Sequence, residues 1–113
     1  MGMWVRKDEV SAGRVWVAVQ GSTFLGMLNL FWTFPHAHLM NVAVSPKAKG
    51  QGVGGGLIRH AIDLAEGAGC RTLDLATHRD LTENISLYQY LGWEVMSRDD
   101  RRVMMRLMLD RGD

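Results

Sequence analysis

One cysteine, two prolines and an almost even charge balance mark what this 113-residue sequence lacks. A lone thiol, Cys70, excludes an internal disulfide framework and suits a reducing compartment. No stretch reaches about 18 uninterrupted apolar residues, the length a membrane-spanning helix needs. Lys and Arg number 13 against 12 Asp and Glu, for a net +1, so no strong field draws the chain to nucleic acid or an anionic membrane. The opening residues Met1 to Glu9 hold no apolar signal core. Gly2 would invite myristoylation, but Arg6 stands where Ser or Thr is needed. These absences predict a soluble, cytoplasmic protein with neither nucleic acid nor membrane as partner. At 47% hydrophobic and 22% charged residues the composition is globular, and the length predicts a single domain, 1–113.

Residues 1–13 carry little pattern. Arg14 to Gln20, rich in Val and Trp, reads as a strand. Gly21-Ser22 offers a hairpin turn, Thr23 to Thr33 returns, and Pro35 ends that strand. His38 to Val44 reads as a third strand, so the first 45 residues form an antiparallel meander. Ser45 to Gly56 is a loop rich in Gly and Lys. Leu57, Ala61, Leu64, Ala65 and Ala68 then form one helical stripe, which Gly67 and Gly69 stop. Arg71 to Ala76 alternates as a strand. Strand, crossover helix and strand make a βαβ unit, which predicts a parallel pair. Thr82 to Leu91 reads as a second helix capped by Thr82 and ended by Gly92. Trp93 to Ser97 and Arg102 to Leu109 close the pattern around the turn Arg98 to Arg101. The fold class is α/β (α+β): a mixed, mostly antiparallel sheet with one parallel crossover.

Lys49-Gly50-Gln51-Gly52-Val53-Gly54-Gly55-Gly56 is the most informative segment. Glycines in a first helical turn cost about 1 kcal/mol each against Ala, which points to something approaching the backbone amides. A helix N-terminus with bare amides binds anions, phosphates above all. A nucleotide P-loop fails here, because Leu57-Ile58 stand where Lys-Ser/Thr is required. Gly50, Gly52 and Gly55 spell the dinucleotide fingerprint, with Asp74 about 20 residues on. However, five residues separate the fingerprint from its strand, Asp74 sits inside a strand, and the preceding meander is antiparallel.

Val42-Ala43-Val44-Ser45-Pro46-Lys47-Ala48-Lys49-Gly50-Gln51-Gly52-Val53-Gly54 resembles the acetyl-CoA motif of the GNAT N-acetyltransferase superfamily. That motif is a hydrophobic strand end, a Pro, then Arg/Gln-x-x-Gly-x-Gly/Ala opening a helix. Lys49 replaces the usual Arg or Gln and keeps a cation. Asn84 to Trp93 is similar to the family's Asn…Tyr-x-x-x-Gly-Phe segment, with Trp93 in place of Phe. The resemblance covers about residues 14–109.

The resemblance implies a GNAT-like acyl-CoA N-acyltransferase fold that uses acetyl-CoA as co-substrate and no metal. It implies that Val42, Ala43 and Val44 offer backbone to the pantetheine arm and that the amides from Gly50 through Gln51, Gly52, Val53 and Gly54 to Gly55, with Lys49, hold the pyrophosphate. Asn84 would bond the cofactor near that arm. The reaction would be direct attack of an amine on the thioester within a ternary complex. The Val42 N–H would polarise the carbonyl, Tyr88 would protonate the leaving thiolate, and His38, four residues before Val42, would serve as base. The acceptor would be a small-molecule or peptide amine. Asp74 and Glu83 are among the few acids that could receive it.

His36 and His38 lie two apart on a strand, but a metal site would need a third ligand. Cys70 reads as a buried apolar residue and Tyr90 as a ring that packs elsewhere. Met96, Met104, Met105 and Met108 read as core filling, and His60 and His78 as exposed. The resemblance also implies N-terminal substrate-side elements for which residues 1–13 have no room. The chain is then a minimal version, a fragment, or one whose acceptor site a second copy completes, and a small core with uncovered apolar surface leads to the expectation of a homodimer. The main alternative to an enzyme is a non-catalytic acyl-CoA-binding or regulatory module. A purely structural domain would leave the glycine run unexplained.

Overall fold

The structure, a computed structural model, describes residues 4–7 and 14–109. The reading of Gly2 falls outside the described residues. The chain forms two compact units. The first holds the described residues up to Phe31 together with Leu39–Leu64, and the second holds Trp32–His38 together with the described residues from Ala65 onward. Among the described residues no helix is long and apolar enough to cross a membrane.

The chain opens with a meander of strands β1 (Trp4–Lys7), β2 (Val15–Gln20), β3 (Thr23–Thr33) and β4 (His36–Val44), in that spatial order, of which all but Trp32–His38 belongs to the first unit. A 3-10 turn (Pro46–Ala48) follows, then helix α1 (Val53–Gly67). β1 pairs antiparallel with β2, Trp4 opposite Val19. It lies where the sequence shows little pattern, because a four-residue edge strand is too short to display one. β3 has the limits that its sequence predicts, and β4 begins two residues earlier than expected, at His36.

Alternation puts Trp16 and Ala18 of β2 and Leu28 and Leu30 of β3 inside, all at most 6% exposed. The alternation breaks once. Ala18 faces Gly26 but Val19 faces Phe24, so Leu25 is an extra residue, a β-bulge. The slip turns Phe24 outward, 51% exposed, and leaves Leu25 buried. Val53, Leu57, Ile58 and Ala61 supply the buried stripe of α1.

The second unit contains β5 (Thr72–His78), helix α2 (Thr82–Tyr90), β6 (Glu94–Arg98) and β7 (Arg102–Met108), with strand order β4-β5-β7-β6. β7 runs antiparallel to both β5 and β6, and the α1 crossover makes β4 and β5 the one parallel pair. The fold is thus the mixed, mostly antiparallel α/β arrangement expected. Leu73, Leu75, Trp93, Val103 and Met105 form the core. Met96, Met104 and Met108 do not fill it: they are 54%, 38% and 61% exposed. Met104 and Met108 share the outward face of β7 with Arg102, and Met96 is the extra residue of a bulge in β6.

Both helices end in the same way. Cys70 N–H donates to Ala65 C=O and Gly69 N–H to Glu66 C=O, with Gly69 at φ +81°. Trp93 N–H donates to Tyr88 C=O and Gly92 N–H to Gln89 C=O, with Gly92 at φ +113°. Each is a Schellman closure, which requires a residue tolerant of positive φ. At the other end of α2, Thr82 is not the cap that the sequence suggests. It is the first helical residue, and Leu81 precedes it without a side-chain hydrogen bond.

Across β5 and β7, Arg106 donates to both carboxylate oxygens of Asp74, at 2.9 and 3.0 Å. His36 Nδ1 lies 2.8 Å from Thr72 Oγ1. Burial pushes the Asp74 carboxyl up. The hydrogen bond and charge of Arg106, the Thr72 hydroxyl and the His36 charge outweigh it and leave the group below its ordinary value. A carboxyl depressed by folding adds stability above its unfolded pKa and loses it as pH falls through the folded one. The partners' side chains are 29% and 21% exposed, so the contribution stays within about 1 kcal/mol. In urea titrations from pH 7 to pH 2, Asp74→Asn is expected to flatten the acid loss of stability relative to wild type.

Candidate active site

In the first unit the predicted cofactor residues form one continuous run. Val42 and Val44 are half-buried and Ala43 is exposed at the end of β4. Ser45 N–H donates to Leu25 C=O at 2.8 Å, and Ala48 N–H to Ser45 C=O at 2.9 Å. Lys49, Gly50, Gln51 and Gly52 are exposed, and the Gln51 side chain reaches back 3.5 Å to the Lys47 carbonyl. Val53 is buried and opens α1, with Gly54, Gly55 and Gly56 half-buried behind it.

The glycines of this run are of two kinds. Gly50 and Gly52 have φ of +81° and +80°, so the loop itself requires them. Gly54 and Gly55 do not. A Cβ on Gly54 would meet only Val44 Cγ2 at 3.6 Å, and one on Gly55 only Arg59 Nη1 at 4.0 Å. The fold would accept alanine at both places, and the helix would gain from it. Gly56 N–H donates to Gly52 C=O at 3.0 Å, which opens the helical ladder. The amides of Val53, Gly54 and Gly55 precede that bond and have no intrahelical acceptor. The first turn holds no acidic residue, and Lys47 and Lys49 flank it. The result is a bare, positively biased backbone cradle suited to an anion.

The second unit holds Asn84, Tyr88 and His38. Asn84 is exposed near the start of α2, where it lines an open hollow of about 280 Å³ with Asp80, Leu81, Thr82 and Glu83. Tyr88 is half-buried, and its ring meets Trp93 edge-on, centroids 5.3 Å apart at 65°. Trp93 is 2% exposed and donates Nε1–H to the Leu73 carbonyl at 3.0 Å. The Schellman closure thus ties Tyr88 to a residue anchored on β5. Burial pushes the Tyr88 phenol above its usual value, so it stays protonated near neutrality. His38 is half-buried on β4.

Several expectations change. Asp74 is not available to a cationic amine or a ribose, since Arg106 takes both its oxygens. This also removes the acid that the dinucleotide reading required. Tyr90 does not pack; it is 86% exposed. His60 is half-buried rather than exposed, whereas His78 is exposed and Cys70 buried as expected. Among the described residues no group of three potential metal ligands occurs. The sequence reading missed a second hollow, about 570 Å³, lined by His78, Asp99, Asp100, Arg101 and Arg102. There Asp99 Oδ1 accepts the Arg101 and Arg102 backbone N–H groups, at 2.8 and 2.7 Å.

The chain belongs to the Acetyltransferase (GNAT) family, whose profile matches residues 2–93. It is 28% identical over 93 residues to the uncharacterized N-acetyltransferase YvbK of Bacillus subtilis (strain 168). That match covers 81% of this chain and 60% of the relative. Among solved structures it is similar to the ribosomal-protein-S18-alanine N-acetyltransferase of Escherichia coli, with TM-score 0.79 and 25% identity over 85% of this chain and 68% of that one. PaiA N-acetyltransferase of Thermoplasma acidophilum, solved in complex with coenzyme A, gives TM-score 0.77 at 22% identity, covering 83% of this chain and 59% of that one.

The phenol makes a direct test. The sequence has two tyrosines, so Tyr90→Phe leaves Tyr88 alone to report. Its ultraviolet titration is expected to show one ionisation, displaced above the usual value of about 10.

Proposed function

We propose that this chain is an acetyl-CoA-dependent N-acetyltransferase, acting as a single catalytic domain on a small-molecule or peptide amine. The observation that carries the reading is the pair Gly54 and Gly55, glycines that neither backbone conformation nor packing requires. They leave the first amides of α1 bare, and a pyrophosphate is the anion that such a cradle holds. Membership of the family supports acetyl-CoA as its owner, as does a structural neighbour solved with coenzyme A.

In this reading Val42, Ala43 and Val44 give the pantetheine arm its backbone partners, and Lys49 with the amides from Gly50 to Gly55 holds the phosphates. Asn84 adds a side-chain hydrogen bond. The amine nitrogen forms a bond to the thioester carbonyl carbon and the C–S bond breaks. The Val42 N–H steadies the charge on the carbonyl oxygen. The thiolate takes the Tyr88 proton, and the nitrogen's surplus proton leaves through a base. His38 stands four residues before Val42 on β4, roughly 13 Å of extended strand, so it acts through water. The buried, reduced Cys70 fits a cytoplasmic setting. Exposed Trp32 and Phe34, 42% and 66%, favour a homodimer; a protomer mass by light scattering at working concentration would overturn that part.

Calorimetry with acetyl-CoA tests the whole. Wild type binds, and NAD and ATP do not. Gly54→Ala is expected to raise stability by about 0.5–1 kcal/mol with acetyl-CoA still bound, since the motif admits alanine there, and Gly54→Asp, which sets a carboxylate at the bare amides, to abolish binding. A folded Gly54→Asp protein that binds acetyl-CoA unchanged would sink the cradle. Tyr88→Phe is expected to cut kcat by about 100-fold or more with acetyl-CoA affinity retained. Binding without turnover of any amine would favour the non-catalytic module.

A further inference from the structure

Gly26 is a glycine in the middle of β3, away from any turn, and its φ is not positive. Glycine inside a strand weakens it, so such a residue commonly marks a close approach of backbone. A Cβ on Gly26 would lie 2.5 Å from the Ala43 carbonyl oxygen, 3.2 Å from Leu57 Cδ1 and 3.3 Å from Val44 Cα. The leucine methyl can move, but the carbonyl belongs to the backbone of β4 and cannot move without the strand. The preceding residue, Leu25, is the bulge, and its carbonyl accepts Ser45 N–H at 2.8 Å. The Ala43 carbonyl, beside Gly26, and the Ser45 N–H, bonded to Leu25, therefore both lie on the side of β4 that faces β3. Peptide groups alternate in direction along a strand, so Val42 and Val44 direct their N–H and C=O groups away from β3.

We propose that Gly26 is a positioning residue: its missing side chain lets the end of β4 lie against the bulge and so sets the direction of the Val42 and Val44 peptide groups. The functional consequence rests on the acetyltransferase reading above, and the geometric one does not. A methyl at Gly26 displaces the Ala43 carbonyl, and the Val42 amide moves with it.

The test uses Gly26→Ala, Gly26→Ala/Leu57→Ala and Ser45→Pro. Ser45 has φ −55°, which proline adopts, so Ser45→Pro keeps that angle while it replaces the N–H that Leu25 accepts with a ring carbon, which pushes the Leu25 carbonyl away. It reports on the same pinning should Gly26→Ala fail to fold. Nitrogen–proton NMR spectra are expected to show the Val42, Ala43 and Val44 amides shifted in all three variants. Turnover is expected to lose about 100-fold in kcat, the scale of a 1 Å misplacement, with the acceptor KM unchanged. Leu57→Ala is expected not to rescue. Unshifted amides at 42–44 in a folded Gly26→Ala, or full rescue by Leu57→Ala, would overturn the proposal. If wild type binds no acetyl-CoA, the acetyltransferase reading falls instead, and the amide shifts still decide the role of Gly26.

Discussion

A peptide N–H that leaves water must find an acceptor, and that accounting governs where this chain is closed and where it is open. Both helices are closed at their C-termini by paired 6→1 and 5→2 hydrogen bonds, through Gly69 and Gly92. The end of β4 is closed on one side, where Ser45 N–H reaches the bulged Leu25 carbonyl. At the start of α1 the ladder begins only with Gly56 N–H, and no capping carboxylate stands in the first turn. The sequence spends its turn chemistry on finishing elements and leaves one beginning bare. An open beginning nine residues after β4 places donors where an anionic ligand can use them.

Glycine serves three physical ends here. Gly50 and Gly52 reach positive φ, which a loop needs in order to turn. Gly26 has an ordinary backbone but no room beside it. Gly54 and Gly55 have ordinary backbone and room to spare, and they sit in a helix that would be more stable without them. Only the last kind has no account within the folded chain, so it points outward, to a ligand that needs bare backbone. Counting glycines in the sequence cannot separate these three kinds; their φ and surroundings can.

This also shows how much of the protein is legible in its sequence. Strand β3 is legible from the Gly21-Ser22 turn before it and Pro35 after it, and helix α1 from an apolar stripe of period 3.6. The parallel pair followed from a helix between two strands. The bulge at Leu25 was not readable, since one slipped residue exchanges Phe24 for Leu25 and both are apolar. β1 was too short to show a period. Hydrophobicity alone reads every methionine of β7 as core, which holds for Met105 but not for Met104 and Met108, whose neighbours on the same face of the strand are arginines. The glycine run stands out by its cost to a helix, and the Tyr88 segment by its resemblance to the family's motif. Of what holds Tyr88 in place, the Gly92 closure is legible as a helix-ending glycine, whereas the Trp93 Nε1–H bond to the Leu73 carbonyl lies in tertiary geometry and leaves no local trace.

The setting of Tyr88 carries a tension. Burial that raises its pKa keeps the phenol protonated and ready, but also makes it a weaker acid. A phenol pushed up by burial is a weaker acid than a thiol, so it is a donor that works uphill. Tyr88 cannot hold a free thiolate protonated at equilibrium. In the proposed reaction it can give its proton only while the C–S bond breaks, with the charge still building on sulfur. It must then be refilled by the proton that the newly acylated nitrogen sheds, which is far more acidic than any phenol. The edge-on Trp93 ring suits this: it excludes water from one side and offers no hydrogen bond that would stabilise a phenolate. A residue built in this way is a conduit for a proton already in transit, and the base on the amine side decides when that proton starts to move.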